Sequence, residues 1–315
     1  MMRSWSSLAL LCVAVAALAA WVYYRPHAPA TESHALSELA ARDVKRIRVE
    51  RSAAAQSAAG ETEAPQGDAV QPPPPALAIE LERRGDGWRM TAPYAARAEP
   101  SQVERLLSIL DARPSVRLPA TDLARYGLDE PAVKVTLGGQ SFGYGAVNTT
   151  TREQYVLTRD AVYAIALAQR STVPRDADAL IARSLFAQGE SPVAFALPGV
   201  AASLQDGAWV FTWPEGASAD ERGAWVDAWR RATAVRAMRH DGRAPGDNVN
   251  VKLADGRTIA IGVLQREPEL VLLRGDEGVQ YHFFAGTAKR LLEPPGAKKE
   301  EGDAVTAGKG DAVTK

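Results

Sequence analysis

Cysteine is nearly absent from this 315-residue chain. The one thiol, Cys12, lies inside an apolar N-terminal run. The body is therefore expected to hold no disulfide, no cysteine-built metal site and no thiol nucleophile. An excess of either charge is also missing. The chain carries 37 Lys and Arg against 38 Asp and Glu, for a formal net charge of −1. That balance excludes nucleic acid as the main partner, because a phosphate-tracking surface needs surplus cations. Histidine is scarce, and His27, His34, His240 and His282 show no metal-ligand spacing. No phosphate-binding loop is present. The run GGQSFGYG at 138–145 fits neither GxGxxG nor a P-loop, and its counterpart ADGRTIAIG at 254–262 reads as a hairpin turned at Asp255-Gly256. No Ser, His and Asp set sits in a nucleophile-elbow context. These absences leave no catalytic residue, cofactor or metal to expect, and the chain reads as a non-enzymatic protein.

A long hydrophobic run, by contrast, is present. Residues 5–24, WSSLALLCVAVAALAAWVYY, carry no charge. At a rise of about 1.5 Å per residue they match a bilayer core of ~30 Å. Arg3 and Arg25 flank them, and Trp5 at one end with Trp21, Tyr23 and Tyr24 at the other fit an interfacial aromatic belt. The expectation is an uncleaved single-pass anchor over residues 1–25 with the body in the periplasm of a bacterial inner membrane. A cleaved signal peptide, with Ala17-Leu18-Ala19 at the cleavage site, is the rival reading. A linker, residues 26–43, follows. Two stretches, 52–75 and 296–315, are poor in large apolar side chains and are expected to be disordered; the second repeats GDAVT.

Between these stretches the sequence repeats itself. DGWRMTAP at 86–93 matches DGAWVFTWP at 206–214, aligning Trp88 with Trp209 and Met90 with Phe211. A helical pattern follows each: Val103, Leu106, Leu107 and Leu110 in the first, and Trp225, Ala228, Trp229 and Ala232 in the second. Alternating strands come next, Val133, Val135 and Leu137 against Val249, Val251 and Leu253, then FGYG at 142–145 against IAIG at 259–262. The expected fold is α+β: a tandem duplication of two mainly antiparallel sheet units, each with a packed helix, at 44–186 and 187–295. Each unit is to have about three strands, a helix and about four more strands. Residues 176–186, DADALIARSLF, read as a short amphipathic helix joining the two.

The duplication also weighs candidate sites, since a residue recurring at a core-facing position belongs to the core. Trp88, Trp209, Trp225 and Trp229 all recur in this sense. Trp213 stands opposite Ala92 and remains as a candidate contact residue. Arg230, Arg231, Arg236 and Arg239, with Arg243, Asp227 and Asp241 among them, form either a solvated surface or a basic face for an acidic partner or lipid headgroups. Asp220 and Glu221 are placed to cap the second helix, and Ser101 the first.

RYGLDEP at 125–131 ends a helical turn and starts a strand. Gly127 permits a left-handed residue, Leu128 packs back on the turn, and Pro131 stops the helix. These residues, with W-x-M-T-x-P at 88–93, VKVTLGGQSFGYG at 133–145 and QYVLTRDAVYAI at 154–165, resemble the DUF4340 family. The resemblance is good over 44–186 and looser over the second copy. It implies a bacterial protein with one N-terminal anchor and an extracytoplasmic body, and no established catalytic residues. It also implies an accessory role beside ABC-type transporter components. The function expected is thus a protein-binding or scaffold subunit. The alternative is a periplasmic module holding a glycan or small molecule between the copies.

Overall fold

The structure, a computed structural model, describes residues 15, 33–52, 78–168, 173–212 and 217–293. Apart from Val15 and Ser52, the expected anchor, the 52–75 insert and the C-terminal tail lie outside the described residues. No helix among the described residues is long and apolar enough to cross a membrane.

Unit one contains strands β1 (Arg46–Arg51), β2 (Ile79–Arg84), β3 (Gly87–Ala92), β4 (Ala96–Arg97), β5 (Val116–Pro119), β6 (Val133–Leu137), β7 (Gln140–Asn148), β8 (Glu153–Thr158) and β9 (Ala161–Ala166), with helix α1 (Pro100–Leu107) after β4. Unit two contains β10 (Pro192–Leu197), β11 (Val200–Gln205), β12 (Ala208–Thr212), helix α2 (Ala219–Arg230), β13 (Arg236–Arg239), β14 (Asp247–Leu253), β15 (Thr258–Gln265), β16 (Leu270–Arg274), β17 (Val279–Phe283) and a terminal helix α3 (Thr287–Leu292). The sheets run β4-β3-β2-β1-β6-β7-β8-β9-β5 and β12-β11-β10-β14-β15-β16-β17-β13. Removing β4 leaves one strand order for both. All pairings are antiparallel.

The molecule is mostly β, and the α+β expectation needs that correction. Each unit also has one strand more than the sequence indicated after its helix. β5 and β13 follow the helices and pair at the far end of their sheets, with β9 and β17. Their short, charge-bearing sequences VRLP and RAMR carry too few apolar residues to show alternation.

Burial follows the pleat. Ile47, Val49, Leu81, Met90, Val135, Leu137 and Phe142 point inward in unit one, and Phe195, Ala202, Val249, Val251, Leu253, Ile259 and Ile261 in unit two. Helix α1 buries Val103, Leu106 and Leu107, the stripe its periodicity required. Its N-cap is Glu99, with Pro100 in the first turn and no side-chain cap, so Ser101 is not the cap. Pro100 starts the helix one residue earlier, because its missing N–H is an orphan there in any case. Helix α2 opens as expected of its acidic start: Ser218 and Glu221 form a reciprocal capping box. Trp225 and Trp229 are buried, and both indole N–H groups donate to the Leu291 carbonyl at the end of α3, at 2.9 and 2.8 Å. Trp88 and Trp209 are only half-buried, lying against the core's margin.

The chain must return from β5 at the sheet's end to β6 in its middle, and RYGLDEP makes that return across the outer face. Leu123–Tyr126 form a 3-10 turn, and Gly127 ends it at φ 63°, ψ 35°. Gly127 and Leu128 donate to Ala124 and Leu123 carbonyls at 3.0 Å each, and Leu128 is 1% exposed. The turn rests on Gly145 of β7, where an added methyl would overlap the Tyr126 carbonyl oxygen and lie 2.7 Å from Leu128 Cγ. In unit two the equivalent crossing lays Pro245 over Gly262, with 2.7 Å to the proline Cβ by the same construction.

Candidate functional site

Residues 176–190 join the units, and they do so as extended chain. Only Asp178–Leu180 make a 3-10 turn, so the helix expected over 176–186 is not formed. Backbone pairing on both sides holds the segment extended. Glu99 donates to the Leu180 carbonyl at 2.7 Å and Ala182 to that of Arg97 at 2.8 Å, while Leu185 donates to Ala232 at 2.9 Å and Ala234 to Arg183 at 2.8 Å. Alternate peptide groups thus serve unit one and unit two, as in the middle strand of a sheet.

A buried charge cluster closes this junction. The Arg97 guanidinium, from β4, meets Glu277 Oε1 at 2.7 Å, the Ser184 carbonyl at 2.8 Å and Tyr281 Oη at 2.8 Å. Arg274, whose side chain is 1% exposed, donates to the Leu185 carbonyl at 2.8 Å and pairs with Glu190 at 3.0 Å and Asp276 at 2.6 Å. Burial opposes the charge on Arg274, but hydrogen bonds to Asp276 and Glu190 outweigh it and raise its pKa. Burial likewise works against ionised Glu190 and Asp276, yet Arg274 holds both below the usual carboxylate range. Burial also pushes the Tyr281 phenol up. Each charge is answered at short range, the condition under which buried ions are tolerated. The cluster has no room for a reacting molecule and works as a clamp.

Beside the clamp lies a cleft of about 360 Å³ lined from unit one by Gln102, from the connecting segment by Asp176, Asp178 and Arg183, and from unit two by Val235, Arg236 and Met238. Its polar groups are largely engaged. Asp178 accepts from the Tyr94 hydroxyl, and Asp176 from the Ala179 amide at 2.8 Å. On the other side of Arg236, a buried His282 donates from Nδ1 to Glu269 at 2.8 Å, with Arg236 3.1 Å from the same carboxylate oxygen.

The expected contact residues are dispersed. Trp213 lies outside the described residues. Arg230 is exposed at the end of α2, and Arg231 is paired with Asp227 at 2.7 Å. Strand alternation sends Arg236 and Arg239 to opposite faces of β13: Arg236 towards Glu269, and Arg239 over the Tyr94 ring, 5.6 Å from its centroid. Among the described residues no group of His, Cys, Asp and Glu is arranged to hold a metal.

A surface that residue-by-residue reading passed over emerges when the two sheets are compared by register. On the outer face of unit one, Arg89 faces Glu82, which faces Arg46, and the next row runs Glu80, Arg48, Thr136. These rows are ion-paired, with Arg48–Glu80 at 2.8 Å, Arg48–Glu50 at 2.9 Å and Arg46–Glu82 at 3.4 Å. The corresponding rows in unit two read Val210, Ser203, Ala194, Lys252 and Thr212, Ala201, Ala196, Asn250. An ion-paired lattice is replaced by small neutral side chains enclosing a shallow hollow of about 300 Å³. Val210 stands at its edge, 48% exposed. The signal was legible in the sequence: RIRVE and IELER alternate apolar with charged residues, whereas VAFAL and VAASLQ do not.

Residues 88–203 match the family model described as a domain of unknown function, DUF4340. The chain is a DUF4340 domain-containing protein. The DUF4340 match runs from Trp88 in β3, through the crossing turn and the junction, to Ser203 in β11. It thus takes in most of unit one, the clamp's Arg97 and Glu190, and the first strands of the neutral face. No curated protein and no solved structure matches the chain.

Proposed function

We propose that this DUF4340 protein is a non-enzymatic, membrane-anchored binding body whose contact surface is the outer face of unit two. One observation carries the reading. Two sheets of the same strand order present opposite outer faces, and only that of unit two can be covered by a partner without stripping water from paired charges. The apolar run at residues 5–24 supports a tether with the body in the periplasm, and the clamp supports a rigid body that presents the face in a fixed direction. An accessory role beside a membrane complex, such as an ABC-type transporter, agrees with the family resemblance.

The test is crosslinking in cells of the tagged full-length chain, followed by solubilisation, capture and mass spectrometry. The expected result is a specific protein partner that is lost on Ala201→Asp and when residues 1–25 are replaced by a cleavable signal sequence. Capture unchanged by Ala201→Asp would overturn the assignment of the face. The cleft between the units favours a second reading, a small polar ligand held at the junction. That reading requires a ligand-dependent rise in melting temperature, reduced by Arg236→Ala.

A further inference from the structure

The outer face of unit two has the shape of a surface that fits itself. A two-fold contact uses one patch twice, so the patch must contain both a projection and a recess to receive it. Val210 is the projection, on the end strand β12. The recess lies beside it in the same sheet, floored by Ala194, Ala196, Ala201 and Ser203 on β10 and β11. Turning one copy over about an axis between these features sets each Val210 into the other's alanine recess. Thr212, Gln205 and Asn250 border the hollow and can hydrogen-bond across the contact.

Electrostatics permits the approach. Lys252 is the one charged side chain lining the hollow, and the chain as a whole carries a net charge of −1. The corresponding face of unit one would bring two sets of Arg46, Arg48, Arg89, Glu80 and Glu82 together and desolvate both. We infer that a second copy of this chain docks on the unit two face, each Val210 seated in its partner's alanine hollow. This rests on the assignment of that face as the binding surface and names its occupant.

Size sets the strength. Four strands about 4.8 Å apart and five residues long at about 3.3 Å each cover roughly 300 Å² per copy. That is under half of the about 800 Å² per partner of a standard stable interface. The contact is therefore weak between free molecules, and two copies tethered to one membrane gain the effective concentration it needs. The experiment accordingly uses the full chain in native membranes.

In a Cys12→Ser background, single cysteines are placed at Val210 and, as control, at Arg48 on the unit one face, and treated with a short bismaleimide. The expected result is a crosslinked dimer at least five-fold stronger for Val210→Cys than for Arg48→Cys. Adding Ala201→Asp, or separately Ser203→Glu, should reduce it at least ten-fold. Both are outward-facing positions, and circular dichroism of the purified full chain checks that each variant remains folded. Equal dimer yield from the two cysteines overturns self-docking, as does a Val210 dimer indifferent to both charged variants. If Val210→Cys is crosslinked to a different protein and not to itself, the occupant is wrong while the binding face stands. If it is crosslinked to nothing, both fall.

Discussion

Unit one and unit two share a strand order and differ in how each sheet is finished. In unit one the last inner strand, β3, is covered by β4, and Arg97 on β4 reaches into the clamp. In unit two β12 ends its sheet, and the helix that follows is fastened from below by α3 through two tryptophans. Unit one covers its outer face with paired charges, and unit two leaves its own neutral. Duplicated frames of this kind separate what the fold requires from what varies freely. Inward residues and crossing turns are kept in both units, while edges and outer faces diverge.

The largest expected effect breaks the two units apart. Arg274→Ala would leave Glu190 and Glu277 buried without their cation and should cost about 3–5 kcal/mol in denaturant unfolding. A transition that splits into two phases would show the units separating; a single, unshifted transition would remove the clamp from this account. Nearly as large is Trp229→Ala, about 3–5 kcal/mol for a fully buried side chain. Trp88→Ala, at the half-buried margin of unit one, should cost only about 1–2 kcal/mol. Aligned in sequence, Trp88 and Trp209 read as full core residues. The structure places both at the sheet's rim, where one side of each ring meets solvent.

That difference shows where sequence reading succeeds and where it stops. Periodicity marked Val103, Leu106, Leu107 and Leu110, because a helix on a sheet has one buried stripe and the pattern registers it directly. RYGLDEP was legible as architecture, because Gly and Pro act through local backbone geometry. Residues 180–185 were not legible: the same apolar residues suit a helix, and only backbone partners distant in sequence hold them extended. The clamp was hidden for a similar reason, since Arg97, Glu190 and Arg274 meet only after both sheets are built. The neutral face was written in β10 and β11, yet it stands out only against β1 and β2 once register aligns the rows.

The crossing turns allow a sharper comparison of smaller size. Gly145→Ala must move a backbone carbonyl, and Gly262→Ala only the Pro245 ring. Both should destabilise by about 1–3 kcal/mol, with the unit one substitution the more costly, as thermal unfolding of the pair would reveal. Equal effects would mean that the unit one turn is as free to yield as a single ring.

Acid should act mainly at the junction. Glu190 and Asp276 have folded pKa values depressed by Arg274, so their contribution to stability is complete above the unfolded carboxylate value, about 4. It is lost as pH falls through their lower folded values. Melting temperature should therefore decline below about pH 4, and Arg274→Met should flatten that decline while lowering stability at neutral pH. The smallest effect belongs to the outer face of unit one. Arg48 is half exposed and shared between Glu50 and Glu80, so Arg48→Ala should change stability by no more than about 0.5 kcal/mol. If that face exists to stay wet, a better probe is its conversion to the pattern of unit two: Arg46→Ala, Glu82→Ser and Arg89→Val together. The fold should tolerate all three, since each side chain points to solvent, and the altered face should now associate in sedimentation of the detergent-solubilised full chain. A triple variant that stays as unassociated as its parent would mean that the neutral rows of unit two do not suffice for contact, and that the recess of its alanines is the determining feature.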